Sequence, residues 1–232
     1  MIETGEVADR PVIRLEDRSI GYGEDRPILS GLNLEIFPGE KIAIICESGA
    51  GKSTLLNHIY NDSQNHAVLI PQLLGLADNL SIFHNVYMGL LDTQPFLSNL
   101  RNLVQPARPQ VAAVRALLEE LELEDKIFQR PTQLSGGQRQ RVAIGRALYR
   151  GADVLIADEP CSALDERQAE RMLSLLVASC KTCIMALHGV AAACRYVDRV
   201  IGLKDGKVEF DAPPGDLSDR DLAALYRTAT PA

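Results

Sequence analysis

The segment Cys46-Glu47-Ser48-Gly49-Ala50-Gly51-Lys52-Ser53-Thr54 constrains this chain more than any other stretch. It departs at one position from the pattern G-x-x-x-x-G-K-[ST], because Cys46 stands where the first glycine is usual. Before it, Lys41-Ile42-Ala43-Ile44-Ile45 is a short apolar run that reads as a buried strand. After it, Thr54 to Tyr60 reads as the opening of a helix. A glycine-rich turn between strand and helix aims several backbone N–H groups at one point. The helix N-terminus adds partial positive charge there, so amides and dipole together hold a polyphosphate. In that arrangement Lys52 reaches the terminal phosphates and the Ser53 hydroxyl ligates Mg2+.

At 232 residues the chain is long enough for one domain with a lobe, or two small domains. Its formal charge of −7 argues against nucleic-acid binding as the main business. Apolar runs such as those within 153–157 and 183–187 are far too short to cross a bilayer. Met1 to Glu6 is polar and acidic, so no signal peptide is expected. Five cysteines, an odd number at low density, fit reduced thiols in a cytoplasm.

The rest of the sequence alternates in type. Val12 to Ile36 alternates apolar and polar residues, which predicts an antiparallel β region. Ala67 to Ile70 is a further buried strand, closed by Pro71. Leu73 to Arg150 reads as mainly helical. Apolar positions 111, 114, 117, 118 and 121 follow a helical period after Pro109, and 138–150 is an Arg-studded helix. Strand, helix and strand follow at 153–157, 165–179 and 182–187, the pattern of parallel βαβ units. Lys204-Asp205-Gly206-Lys207 between two β runs predicts a hairpin, and 218–227 a closing helix. The expected architecture is a single domain over 12–230. Its core comes from 12–72 and 151–230, and a helical subdomain spans 73–150.

Val154-Leu155-Ile156-Ala157 runs into Asp158 and Glu159. Two carboxylates after four apolar residues are costly unless they sit solvated or paired at a strand end. Ligands of open α/β sheets bind beyond the carboxyl ends of strands, which puts both acids beside the phosphate loop. Asp158 is then expected on Mg2+, directly or through water, and Glu159 as the general base for the attacking water. A second anion cradle is encoded by Leu134-Ser135-Gly136-Gly137-Gln138 at the start of a helix. One ATP has no need of two cradles from one chain, which suggests that two chains sandwich each nucleotide.

These motifs resemble those of the ATPase subunits of ABC transporters, in that family's order and over about residues 12 to 210. The resemblance implies an α/β fold: a P-loop NTPase (RecA-like) core, an antiparallel β subdomain and an inserted helical subdomain. It implies that Ser135, Gly136, Gly137 and Gln138 belong to a signature loop that binds the γ-phosphate of ATP held by a partner subunit. Ser162-Ala163-Leu164-Asp165 matches the loop that crosses the dimer interface. Gln72 matches a glutamine that senses Mg2+ and the attacking water, His188 a switch histidine on the γ-phosphate, and Tyr22 an aromatic that stacks on adenine. Taken alone, His188 reads as structural; a core aromatic is the plain alternative for Tyr22, and a turn residue for Gln72.

Only twenty residues separate Lys52 from Gln72. With Leu69 to Gly89 and Asn99 to Leu103, this looks like the ATPases of phosphonate importers. The resemblance implies ATP and Mg2+ as ligands and a second copy of the chain as partner. It also implies membrane permease subunits, an indirectly acting solute-binding protein and a peripheral place on the cytoplasmic face of the membrane. A soluble ABC ATPase without permease, an importer for another small solute, and a regulatory subunit with negligible hydrolysis are the alternatives. Cys46 raises a specific question. At a positive φ it would be strained and weaken nucleotide binding; at a negative φ it would fit at little cost. Cys46 and Cys161, both near the expected nucleotide, make oxidation sensitivity an expectation. Cys180-Lys181-Thr182-Cys183 has no second pair and reads as packing rather than as a redox or metal motif.

Overall fold

Alternating apolar residues fold Ile13–Ile20 (β1) and Leu29–Ile36 (β2) into an antiparallel pair, with Ile13 opposite Ile36 and Leu15 opposite Leu34. The structure is a computed structural model and describes residues 10–21, 27–47, 49–63, 67–187 and 194–225. Six more strands form a second sheet: Lys41–Cys46 (β3), Ala67–Ile70 (β4), Val154–Asp158 (β5), Thr182–Ala186 (β6), Arg199–Lys204 (β7) and Lys207–Ala212 (β8). Their order is β4-β5-β6-β3-β7-β8. Strand β3 runs parallel to both β6 and β7, β5 runs parallel to β6, and β8 returns antiparallel to β7. Every residue of β5 and β6 is buried, which explains why they read as unbroken apolar runs instead of alternating.

Helix α1 (Lys52–Asp62) packs on β5 and β6 through Leu55, Leu56 and Ile59, all but fully buried. Each such side chain contributes about 1.5–3 kcal/mol of burial. The hairpin at β7–β8 turns on Asp205 and Gly206, at φ 48° and 75°. Two consecutive positive angles match the right-handed twist of the flanking strands, the reason an Asp-Gly pair signals such a turn.

The described residues divide into two compact units. One is drawn from residues up to Leu69, Asp153–Glu159 and from Cys180 on; the other from Ile70–Ala152 and Pro160–Ser179. The first holds both sheets, α1 and a closing helix, α7 (Asp219–Leu225). The second holds α2 (Ile82–Tyr87), α3 (Phe96–Val104), α4 (Arg108–Glu120), α5 (Gly136–Arg150) and α6 (Glu166–Ser179). Phe83, Val86, Val114, Leu118 and Ile144 are fully buried there. Helix α5 approaches α2 closely because residue 89 is glycine: a Cβ on Gly89 would lie 2.4 Å from the Arg146 carbonyl oxygen. No helix among the described residues is long and apolar enough to cross a membrane.

Candidate functional site

In the first unit the phosphate loop leaves the carboxyl end of the central strand β3 and enters α1. Cys46 is the last residue of β3, in register with Leu203 of β7, and is not among the residues with positive φ. Cysteine therefore carries no left-handed strain, and its side chain joins the core at 5% exposure. The thiol donates to the Glu47 carbonyl at 3.0 Å. The turn is made by the two glycines that remain, Gly49 at φ 87° and Gly51 at φ 104°. Open space surrounds the position a Cβ would take on Gly49. Cys46→Gly is thus expected to leave ATP affinity within about twofold. It should lower stability by about 1–2 kcal/mol, through a strand-interior glycine and a lost buried side chain. Urea unfolding beside titration with a fluorescent ATP analogue measures both.

Gly51 is the N-cap of α1, supplies no side-chain cap, and no acidic residue lies in the first turn. The first amides of the helix therefore await an external acceptor, the condition for anion binding. Lys52 is only 7% exposed and donates to the Cys46 carbonyl at 3.2 Å. Ser53 and Thr54, in the same first turn, are half-buried. Glu47 and Ala50 complete the loop through an Ala50 N–H to Glu47 carbonyl bond of 3.3 Å.

Asp158 ends β5 in register with Ala186 of β6, which is in register with Ile44 of β3. The acid thus lies level with Ile44, just short of the root of the phosphate loop at Cys46, in the same sheet and two strands away, or about 10 Å between strand axes. Asp158 is 5% exposed. Glu159 follows at φ 52°, one of four non-glycine residues with positive φ among the described residues, and its N–H donates to the Ala186 carbonyl at 3.1 Å. A left-handed glutamate costs about 1–2 kcal/mol and persists only where its surroundings fix it. The turn it makes ends the strand directly after Asp158.

Gln72, Ser135, Gly136, Gly137, Gln138 and Asp165 lie in the second unit. Gln72 is exposed directly after β4 and Pro71. Ser135 is the N-cap of α5. Its hydroxyl accepts from the Gln138 N–H at 3.3 Å, while the Gln138 side chain accepts from the Ser135 N–H at 3.1 Å. Gly136 is exposed, and Gly137 backs onto the turn at 160–165, where a Cβ would meet the Ala163 carbonyl oxygen at 3.0 Å. Asp165 caps α6, accepting from the backbone and side-chain N–H groups of Gln168 at 2.9 and 2.7 Å. Tyr22, Ser48 and His188 lie outside the described residues.

Sequence reasoning missed the side chain that ties two of these motifs together. Gln140 accepts from the Ala163 N–H at 2.8 Å and donates to the Ser162 hydroxyl at 3.3 Å, latching the signature helix to the Ser162–Asp165 turn. It is buried, and nothing local announces it. The Ser135-x-x-Gln138 spacing, by contrast, is a legible capping box that the anion-cradle reading passed over.

Helix α3 is apolar yet almost unburied. Phe96, Leu97 and Val104 are more than three-quarters exposed, and its one buried residue is polar Asn102. Asn102 donates to the Tyr87 hydroxyl at 3.0 Å and accepts from the Ala107 N–H at 2.9 Å. Polar bonds thus hold the helix while Phe96, Leu100 and Leu103 face an apolar groove of about 240 Å3, closed by Leu80, Tyr87 and Met88.

A family model described as ABC transporter matches residues 29–162. The chain is 35% identical to the phosphonates import ATP-binding protein PhnC 1 of Pseudomonas syringae pv. tomato, over 92% of this chain and 91% of that protein. It is 35% identical to the PhnC protein of Cupriavidus pinatubonensis, over 89% and 85%. Among solved structures it resembles MJ0796, a bacterial ABC transporter cassette in dimeric form, with TM-score 0.74 and 28% identity over 87% of this chain and 98% of that one. A post-hydrolysis dimer of MJ0796 bound to ADP and Pi gives TM-score 0.72 and 27% identity, over 87% and 98%.

Proposed function

The chain belongs to the ABC transporter family, and from that premise we propose that two copies work head to tail beneath a membrane permease importing phosphonates or related organophosphorus compounds. It is the ATP-hydrolysing subunit of an importer. The observation that carries the catalytic reading is the placement of the phosphate loop and the Asp158–Glu159 pair at the carboxyl ends of parallel strands in one sheet.

The first-turn amides of α1 and the Lys52 ammonium hold the β- and γ-phosphates. The residues fit a divalent cation: Ser53 offers a half-buried hydroxyl beside the cradle and Asp158 a buried carboxylate at the strand end. Mg2+ held by Ser53, Asp158 and Gln72 would neutralise charge on the β- and γ-phosphate oxygens. Glu159 accepts a proton from the attacking water, and His188 steadies the γ-phosphate. Tyr22 stacks on adenine, and Ser48 completes the loop's ring of donors. Ser135, Gly136, Gly137 and Gln138 of one copy close over the nucleotide held by the other, with Asp165 in the turn that crosses between copies. Because ATP completes both sites, binding closes the pair and hydrolysis reopens it. The groove beneath α3 receives a permease helix, which converts closure into a change of access across the membrane. A peripheral place on the cytoplasmic face follows.

The test is co-expression with the permease of its own gene neighbourhood, purification in detergent, and reconstitution with a phosphonate-loaded binding protein. The expected result is co-purification and ATP hydrolysis stimulated by the loaded binding protein. Hydrolysis without co-purification would favour a soluble ATPase, and stimulation by an unrelated solute a different importer.

A further inference from the structure

At the amino ends of β3 and β6, at the other end of β3 from the phosphate loop, two thiols and a lysine meet. Lys41 opens β3 in register with Cys183 of β6. Its ammonium lies 3.8 Å from the Cys180 sulfur and also donates to the Cys180 carbonyl. Cys183 and the Leu155 N–H of β5 lie close enough to the same sulfur to act on its charge. The neighbouring Lys181 is turned to Asp153 at 3.2 Å. Cys180 is partly exposed, whereas Cys183 is fully buried. Neither is in a disulfide. Five residue steps along β3 separate this cluster from Cys46, about 17 Å.

We propose that Cys180 and Cys183, positioned by Lys41, form a hydroperoxide-reactive dithiol that closes to a disulfide. Cys180 is the attacking thiolate. Its sulfur bonds to one peroxide oxygen, the O–O bond breaks, and the other oxygen leaves as alkoxide or hydroxide and takes a proton. The sulfur is oxidised by two electrons and the peroxide reduced. Cys183 then attacks the Cys180 sulfur: the S–S bond forms, the S–O bond breaks, and hydroxide leaves with the Cys183 proton as water. A disulfide would bring the two sulfurs to about 2 Å.

The electrostatics agree with this division of labour. The Cys183 hydrogen bond and Lys41 draw the Cys180 thiol down to about 7, although burial opposes the shift. The hydrogen bond to Cys180 and burial push Cys183 up, which keeps it a proton donor until it resolves the bond. The two cysteines that flank the phosphate loop and the Asp158–Glu159 turn in sequence are poorer nucleophiles. Burial raises Cys46, and pushes Cys161 up to about 12. On this proposal the oxidation-sensitive thiols are Cys180 and Cys183, in a motif that the sequence alone reads as packing.

The test exposes reduced protein to hydrogen peroxide at neutral pH, blocks thiols with N-ethylmaleimide and maps peptides by mass. The peptide carrying 180–183 is expected to lose two hydrogens and escape alkylation, while Cys161 remains alkylated after unfolding. Cys180→Ser should abolish that bond, and Cys183→Ser should leave a sulfenate at Cys180 that dimedone captures. In the unoxidised wild type, alkylation of Cys180 should have its midpoint near 7. Lys41→Met should move that midpoint toward the ordinary thiol value of about 8.5. A wild-type midpoint already at the ordinary value, or no dimedone adduct in Cys183→Ser, overturns the proposal.

Discussion

Glu159→Gln is expected to cut steady-state ATP hydrolysis by about 10²–10³-fold while ATP binding persists, and to accumulate an ATP-dependent dimer visible by size-exclusion chromatography. Positioned proton acceptors contribute factors of this size to a transition state, about 3–4 kcal/mol here. The substitution changes one oxygen to an amide nitrogen, so shape and packing stay. The backbone that aims the side chain also stays, because the left-handed turn at φ 52° and the bond from the Glu159 N–H to the Ala186 carbonyl do not involve the carboxylate. Loss of turnover with retained binding would then report the base alone. If the variant hydrolyses ATP at the wild-type rate, Glu159 is not the base. The adjacent Asp158→Asn serves as a comparison: its group is buried at the strand end, so its loss should show a changed Mg2+ dependence.

Strand β5, which carries Asp158, and its neighbour β6 are legible in the amino-acid sequence because strands inside a parallel sheet bury every position. Residues 153–157 and 182–187 therefore stand out as apolar runs, and the folded strands are Val154–Asp158 and Thr182–Ala186. The shift at β5 has a local cause: the Asp153 carbonyl is taken by the Lys181 and Thr182 N–H groups, and its exposed side chain pairs with Lys181. What stays hidden depends on partners remote in sequence. Whether Cys46 is strained is settled by its pairing in register with Leu203, on a strand from the far end of the chain. The Lys41–Cys180 contact spans 139 positions, and no local pattern carries it. Asp165 shows a different limit. A turn residue ahead of a helix serves as its cap, and such a role is indistinguishable in sequence from a place at an interface.

Lys52→Met is expected to raise the dissociation constant for ATP by about 10²-fold or more, equivalent to about 2.7 kcal/mol. Without nucleotide, the melting temperature should be unchanged or higher. The two readouts separate because of where the ammonium sits. It is 7% exposed, donates to the Cys46 carbonyl, and lies beside the Cys46 thiol, which burial keeps in its uncharged form. A buried ammonium costs the nucleotide-free protein desolvation free energy that its bond to the Cys46 carbonyl offsets only in part, and methionine of similar length relieves that cost while filling the same space. Once a polyphosphate enters, the same ammonium becomes the nearest full positive charge on the loop, in a site whose other donors are peptide dipoles. Its contribution is therefore made almost wholly on binding. Isothermal titration with ATP and thermal unfolding of the nucleotide-free variant give the two numbers. A variant that loses affinity and stability together would mean that Lys52 props up the loop instead of holding phosphate. A variant that binds ATP like the wild type would remove the phosphate loop from the site.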